Sequence, residues 1–245
     1  MKLFLTAEWR HLINLTYKVP PKLLLPHVPQ GLELDVIEGS AYVSLVAFDF
    51  LNTRVRGVKV PFHINFPEVN LRYYVKHKGR RGVVFIKEYV PKHCIAFIAN
   101  RFYNEPYTSF PMESKQENLA DGGHRSTYRI WKERDKYKLE VQVSPETFVP
   151  SDDTPDHYFK EHSVGFGKEK KGDTLYYLVE HPVWATRKVT DLNLDYDFGA
   201  LYGPEWEFLN TSEPVHRIFA EGSNIRVYRP NRLEGAELPQ MEMDE

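Results

Sequence analysis

Cysteine, net charge and long apolar segments are all scarce in this 245-residue chain. Its single cysteine, Cys94, excludes an internal disulfide and a cysteine-rich zinc site. We expect Cys94 to be a buried and inert thiol, because it lies in an apolar run. The 32 basic and 34 acidic side chains leave a net charge of −2. No overall field therefore attracts nucleic acid or an anionic membrane, and neither is predicted as a partner.

Membrane and targeting segments are also missing from the sequence. No apolar run approaches the roughly 20 residues that a membrane-spanning helix needs. The first apolar stretch meets Glu8 before it reaches the length of a signal peptide. We therefore expect a cytoplasmic protein. The serines lack the glycine frame of a nucleophile elbow, so catalysis by a serine nucleophile is not expected. The segment Gly165-Phe166-Gly167 lacks the lysine and serine of a phosphate-binding loop. No cofactor is predicted.

Aromatic residues, by contrast, reach 14% of the chain, which favours strands and cavities lined by rings. Alternating and apolar runs, separated by glycine and proline turns, predict about nine to twelve short strands with a few short helices. One extended or closed sheet suits that many strands, because closure removes exposed edges. We predict a single domain over residues 1–230 and an acidic, disordered tail over residues 231–245.

Three segments between the strands have predictions of their own. After Pro91, apolar residues from Ile95 to Phe102 recur at a spacing typical of an amphipathic helix. Residues 114–123 are polar and contain two glycines, so we expect a mobile loop there. Residues 198–203 have no regular pattern and are predicted to be irregular.

The strand predicted over residues 66–75 carries three polar side chains in a row. Glu68, Asn70 and Arg72 occupy alternate positions, so they point to the same face of the strand. They form either a solvated face, which alternation alone favours, or the polar floor of a cavity. In a cavity, Arg72 would bind a carboxylate through parallel hydrogen bonds. Glu68 would carry a proton there if burial raised its pKa.

A second candidate group pairs glutamate with histidine at residues 161–162 and 180–181. These pairs suggest a metal site, but His157 lies one residue too far upstream for the inverted zincin motif, and no third ligand is evident. No metal is therefore predicted. We expect instead that His181 orients a polar neighbour and that Trp184 lines the core or a pocket.

A third group lies at residues 100–107, which include Arg101 and Tyr107. A helix end rich in arginine and tyrosine either lines the mouth of a pocket or caps the helix, with arginine near the C-terminus. The candidate ligand-binding residues are thus Arg72, Asn70, Tyr107, Arg101, His181 and Trp184, with Glu68 as the candidate catalytic residue.

Several segments of the chain have a familiar sequence: residues 17–21, 25–35, 41–46, 66–75, 82–85, 180–184 and 227–230. In these segments the sequence resembles the YqjF-like family of uncharacterised bacterial proteins, and the resemblance extends over nearly the whole chain. Its most specific part is the block Glu68-Val69-Asn70-Leu71-Arg72. The family has no established activity to carry over.

That family is remotely similar to acetoacetate decarboxylase, which has a cone-like β-barrel with an interior pocket. The similarity implies a mainly β, acetoacetate decarboxylase-like closed barrel with a few short helices. It also implies that Glu68 matches a glutamate of the decarboxylase active site, which favours the cavity interpretation. The decarboxylase needs a Schiff-base lysine beside a second lysine. Residues 101–110, where that pair would fall, contain no lysine, so the resemblance implies that Schiff-base decarboxylation is lost.

Three hypotheses about function follow. In the first, the protein binds or transforms a small organic acid, with Arg72 on the carboxylate and Glu68 as proton carrier. In the second, it is a non-catalytic carrier of an apolar small molecule, with an aromatic cavity wall and with Glu68 and Arg72 paired to each other. In the third, it is an interaction protein, a homodimer whose Glu68–Arg72 face is buried against the partner.

Overall fold

The computed structural model describes residues 1–92, 106–168, 172–233 and 238–239. Within these residues, the strands join into one 14-stranded sheet. The strands are β1 (Leu3–Val19), β2 (Glu33–Leu34), β3 (Ala41–Val55), β4 (Phe66–His77), β5 (Arg80–Val90), β6 (Tyr107–Ser109), β7 (Met112–Asn118), β8 (His124–Lys132), β9 (Asp135–Phe148), β10 (Val164–Lys168), β11 (Thr174–Glu180), β12 (Thr186–Asp195), β13 (His216–Tyr228) and β14 (Asn231–Arg232).

Short helices connect some of these strands. The α-helices are Pro21–Leu24, Pro155–Lys160 and Phe198–Tyr202, and the 3-10 helices are Leu25–His27 and Pro204–Thr211. The first two α-helices begin at proline, whose fixed φ suits the first helical turn. The predicted mainly β fold with a few short helices is confirmed. None of the helices in the described ranges is long and apolar enough to cross a membrane.

The pairing of the strands forms a closed circuit with an extension. The main order is β14-β11-β10-β5-β4-β3-β1-β13-β12-β9-β8-β7. β11 also pairs with β13. The strands β11, β10, β5, β4, β3, β1 and β13 therefore form a closed ring of pairings. β12, β9, β8 and β7 extend the sheet beyond this circuit. The closure shields the edges of the circuit strands from water.

The branch point of the sheet lies within β13. Its first part pairs with β12 through Ile218, and its last part pairs with β11 through Val227. Gly222 lies between these two parts with φ +78°, a conformation that side chains rarely adopt. A Cβ atom at Gly222 would lie 1.9 Å from the carbonyl oxygen of Trp9 on β1. Glycine therefore permits the close approach of β13 to β1.

β4 is buried on both faces. Val69, Leu71 and Tyr73 point into the larger hydrophobic cluster, whereas Phe66 joins a second cluster that includes Phe48, Phe50 and Trp184. β4 also lies between β3 and β5 in the sheet. The alternation of its side chains therefore separates the main core from a smaller, aromatic compartment.

Two predictions about loops are wrong in part. Of the loop predicted over residues 114–123, only residues 119–123 connect two strands as a turn. Residues 114–118 belong to β7, which pairs with β8 along its whole length. β7 lies at one end of the sheet order, where a strand can stay polar because water covers it. Residues 198–202 form an α-helix, and the Asp197 side chain accepts a hydrogen bond from the backbone N–H of Ala200. A single capped turn is too short to show helical periodicity.

The predicted boundary of the tail also needs correction. Asn231 and Arg232 pair with β11, and Leu238 is buried in the larger hydrophobic cluster. The chain after Pro230 therefore still contributes to the folded domain. The helix predicted after Pro91, together with Cys94 and Arg101, lies outside the described residues.

Candidate functional site

A cavity of about 170 Å³ lies against the polar face of β4. Its wall combines many rings and aliphatic side chains with a small group of ionisable residues. The residues that line it are Phe4, Leu5, Trp9, Leu12, Phe48, Phe50, Thr53, Val55, Val60, His63, Phe66, Glu68, Asn70, Arg72, Phe85, Glu88, Tyr107, Lys160, His162, Tyr177, Val179, His181, Trp184 and Val227.

The polar row of β4 forms part of the wall of this cavity. Glu68, Asn70 and Arg72 are only 2%, 1% and 9% exposed. The alternative of a solvated strand face is therefore wrong. The alternative of a face buried against a dimer partner is not needed to explain this burial, because the chain itself covers the three side chains.

Two neighbouring strands add further polar groups to the row. Glu88 on β5 lies opposite Asn70, and Tyr107 on β6 lies opposite Glu88. Residues opposite one another on neighbouring strands share a face, so these side chains also reach the cavity. A β-bulge lies on β5, where Arg72 pairs with Phe85 and Ile86 has no opposite residue. The bulge brings Phe85 to the cavity although it is three residues from Glu88.

Glu68 is the centre of a hydrogen-bond network. Asn70 Nδ2 donates to Oε1 of Glu68 at 2.9 Å, and the Tyr107 hydroxyl donates to Oε2 at 2.9 Å. The Glu88 carboxyl also favours the ionised form of Glu68. Glu68 and Glu88 therefore place two buried carboxyl groups in the wall of one cavity.

The pKa values in this network follow from burial. Burial raises the pKa of Glu68 to about 7, against the opposing effects of its hydrogen bonds and of the positive charge on Arg72. Burial and the neighbouring carboxyls of Glu68 and Glu88 raise the pKa of Tyr107 well above its usual value. Tyr107 therefore remains a hydrogen-bond donor, whereas Glu68 exchanges its proton near neutral pH.

Arg72 supplies a cation that has few hydrogen-bond partners among the described residues. Its Nη2 donates to the carbonyl oxygen of Phe159 at 3.2 Å. The side chains of Asn14 and Tyr74 donate to the same oxygen, which lies near the C-terminus of the helix Pro155–Lys160. Within the described part of the chain, Arg72 forms no ion pair with Glu68. The pairing that the carrier hypothesis expects is thus not observed there.

Lys160, which follows Phe159 in the chain, is a further cation in the lining of the cavity. Its side chain is fully buried and forms an ion pair with Glu161. Lys160 Nζ also donates to the carbonyl oxygen of Trp184 at 2.9 Å. The Glu161 carboxyl accepts a hydrogen bond from the Trp184 backbone N–H at 3.2 Å and lies 3.6 Å from His181 Nδ1. Glu161 thereby fixes three groups of this wall at once.

The His181 ring stacks on Trp184, with ring centroids 4.1 Å apart. His181 thus lies between the ring of Trp184 and the carboxyl group of Glu161. His162 lies nearby, and burial together with the charge of Arg72 lowers its pKa well below the usual range. His162 is therefore neutral at physiological pH.

The cavity brings together most of the candidate residues: Glu68, Asn70, Arg72, Tyr107, His181 and Trp184. Arg101 lies outside the described residues. Sequence reasoning missed Glu88 and Lys160, and it noticed His162 only as part of the rejected metal pair at residues 161–162. The bulge on β5 shifts the alternation of its side chains, so the sequence pattern does not place Glu88 with Phe85. Lys160 and His162 reach the cavity only through the packing of the helix Pro155–Lys160 and the residues that follow it.

A curated relative supports the resemblance seen in the sequence. The chain is 33% identical over 113 residues to the uncharacterized protein YqjF of Bacillus subtilis strain 168. The match covers 46% of this chain and 47% of that protein, so it spans about half the length of the relative.

Solved structures support the fold. An acetoacetate decarboxylase-like enzyme from Sphingomonas wittichii RW1 matches with a TM-score of 0.66 and 13% identity, over 96% of this chain and 94% of that one. The enduracididine biosynthesis enzyme MppR complexed with pyruvate matches with a TM-score of 0.65 and 12% identity, over 96% and 91%. Acetoacetate decarboxylase from Legionella pneumophila matches with a TM-score of 0.64 and 11% identity, over 95% of this chain and 88% of that one. The acetoacetate decarboxylase-like fold is thus confirmed.

Because the model of the uncharacterized conserved protein family DUF2071 matches residues 6–224, the chain belongs to that family.

Proposed function

We propose that the cavity binds a small organic acid, with Arg72 holding its carboxylate and Glu68 exchanging a proton with the bound molecule. The observation that carries the proposal is the presence of Glu68 and Arg72 on one face of β4, inside one cavity, without an ion pair between them in the described residues. A guanidinium with spare N–H groups is suited to a carboxylate.

The network around Glu68 supports a role in proton transfer. A carboxyl with a pKa of about 7 is present in both protonation states at neutral pH, which is what a general acid or base requires. Asn70 and Tyr107 hold the two carboxyl oxygens in place, and Glu88 provides a second site for the proton. The proposed reaction is therefore proton transfer to or from a carbon or oxygen close to the bound carboxylate, such as the methyl carbon of pyruvate.

The proposed chemistry uses no Schiff base. Lys160 is the lysine that lines the cavity within the described chain. Its ammonium group donates to Glu161 and to the carbonyl oxygen of Trp184, and a nucleophilic amine would give up a proton from this arrangement. Treatment with borohydride and pyruvate, followed by intact mass, checks this point. A stable adduct on any lysine would contradict it.

Binding and proton transfer are tested separately. Pyruvate is a suitable first probe, because a protein of the same fold has been solved with it. Arg72→Met should abolish the thermal shift that the acid produces, whereas Arg217→Met, in an exposed ion pair with Glu213, should not. NMR in D₂O then follows exchange of the protons next to the carbonyl group.

Glu68→Gln should retain binding but lose the catalysed exchange, and Arg217→Met should retain both. If Arg72→Met bound the acid normally, the assignment of the carboxylate site would be wrong. If wild-type protein bound the acid without accelerating exchange, the second candidate would be favoured. That candidate is a non-catalytic carrier, and the rings around Trp9 and Phe50 are the observation in its support.

A further inference from the structure

One end of the cavity is built almost entirely from rings. Trp9 lies with its ring centroid 4.9 Å from that of Phe48 and 5.7 Å from that of Phe50. Phe50 stacks on Phe66 at 4.7 Å, and Trp9 meets Trp184 at 6.2 Å. These are the distances at which aromatic rings attract one another in stacked and edge-to-face geometry. Another ring introduced beside them would find the same contacts.

The rings and the charges are ordered along β4. Phe66, Glu68, Asn70 and Arg72 follow one another on one face, with about 6.6 Å between successive side chains on that face. On β3, Phe48 lies opposite Glu68 and Phe50 lies opposite Phe66. The cavity therefore changes from apolar at Phe66 to cationic at Arg72, with the proton-carrying carboxyl between them.

The volume of the cavity limits the size of the apolar part. An apolar cavity of about 150 Å³ in another protein binds benzene, and the cavity here measures about 170 Å³. The space thus suits one six-membered ring with a short acid side chain. Two fused rings would exceed it, whereas a two- or three-carbon acid would leave the aromatic end unfilled.

We infer that the ligand of this cavity is a monocyclic aryl carboxylic acid, whose ring packs against Trp9, Phe48 and Phe50 and whose carboxylate binds Arg72. The inference rests on the proposed function and narrows its substrate class. Glu68 lies on the same face of β4 between Phe66 and Arg72, so it is the group placed to exchange a proton with the bound acid.

Calorimetry with the full-length protein tests this inference against a matched series of compounds: acetate, phenylacetate, 1-naphthylacetate and phenylacetamide. Burial of the ring should make phenylacetate bind roughly tenfold to hundredfold more tightly than acetate. Naphthylacetate should bind at least about tenfold more weakly than phenylacetate, because its second ring does not fit. Phenylacetamide should also bind at least about tenfold more weakly than phenylacetate, because it offers Arg72 no negative charge.

A variant links the size limit to the aromatic wall. Phe48→Leu removes part of a ring while keeping an apolar side chain, so it should improve naphthylacetate binding relative to phenylacetate. Phe198→Leu, in the other hydrophobic cluster, is the matched control and should leave the ratio unchanged. An unchanged ratio in Phe48→Leu would overturn the placement of the ring.

The outcomes separate the inference from the proposed function. If acetate bound as tightly as phenylacetate and both depended on Arg72, the aryl specificity would be wrong and the carboxylate site would stand. If phenylacetamide bound as tightly as phenylacetate, the carboxylate site would be wrong, although the ring preference would stand. If none of these compounds bound, the inference would be overturned, and the binding of pyruvate would decide the proposed function separately.

Discussion

Tyr107 donates a hydrogen bond of 2.9 Å to Oε2 of Glu68, although the two residues belong to strands that are not neighbours. Tyr107 on β6 lies opposite Glu88 on β5, and Glu88 lies opposite Asn70 on β4. The hydroxyl therefore spans two strand spacings to reach the carboxyl group. This contact exists only because three strands meet in one register.

Tyr107→Phe should raise the pKa of Glu68 further, by about one unit, because the lost hydrogen bond favours the ionised carboxyl. NMR titration of carboxyl-labelled glutamate measures the midpoint. Tyr196→Phe removes a hydroxyl that bonds Tyr202, so it serves as the control and should leave the midpoint unchanged. A midpoint that stays at its wild-type value in Tyr107→Phe would show that the bond does not favour the carboxylate.

The raised pKa of Glu68 predicts how stability depends on pH. The native state keeps the Glu68 proton up to about pH 7, whereas the unfolded state loses it near the ordinary value of 4.5. The wild-type free energy of unfolding should thus fall across this window, by at most about 3 kcal/mol relative to Glu68→Gln. Urea unfolding at pH 4.5, 6 and 8 measures the difference.

The direction of this change is what checks the prediction. Relative to wild type, Glu68→Gln should become more stable as the pH rises from 4.5 to 7, and the gap should stay constant above that. Glu117→Gln replaces an exposed carboxyl whose pKa is lowered by Lys115, so it should not reproduce this trend. If Glu68→Gln instead became less stable relative to wild type as the pH rose, the raised pKa of Glu68 would be contradicted.

Gly222 and Gly79 form a matched pair of glycines. Both have nearly the same φ, +78° and +80°, but a Cβ at Gly222 would collide with the Trp9 carbonyl oxygen, whereas a Cβ at Gly79 meets nothing within 4 Å. Gly79→Ala should cost about 1 kcal/mol of stability from backbone strain. Gly222→Ala should cost at least about 3 kcal/mol, as measured by urea unfolding. Equal costs would mean that β13 moves away from β1 easily.

Lys160 and Glu161 should couple strongly in a double-mutant cycle. Lys160→Met leaves the buried Glu161 carboxylate without its cation and should cost about 3 kcal/mol or more. Adding Glu161→Gln should recover part of that cost, since the unpaired charge is removed. The exposed pair Arg217 and Glu213 is the control, with an expected coupling below about 1 kcal/mol. Additive effects for Lys160 and Glu161 would contradict the ion pair.

Some of the candidate site could be predicted from sequence because it follows from local geometry. Glu68, Asn70 and Arg72 share a face whenever their segment is a strand, since side chains alternate. Apolar residues between them indicated that the strand is covered on its other side. The polar edge strand Met112–Asn118 could not be recognised in this way, because an edge strand exposed to water shows no apolar face.

Other parts of the site depend on long-range pairing. Glu88 reaches the cavity through a bulge that shifts the alternation of β5, and nothing in the local sequence marks that bulge. Lys160 and Trp184 meet through a hydrogen bond between segments 24 residues apart. These positions follow from how the chain packs, which local patterns do not encode.

By itself, the sequence determined a mainly β chain with one strand that carries an acid, an amide and a base on a single face. Periodicity and turn residues suffice for this, because both act over a few neighbouring residues. Only the tertiary structure decided that this face lines a cavity. Burial arises when β4, β5, β6 and the segment around Lys160 enclose the same space. Removal of water by these distant segments raises the pKa of Glu68 to about 7, which the proposed role in proton transfer requires.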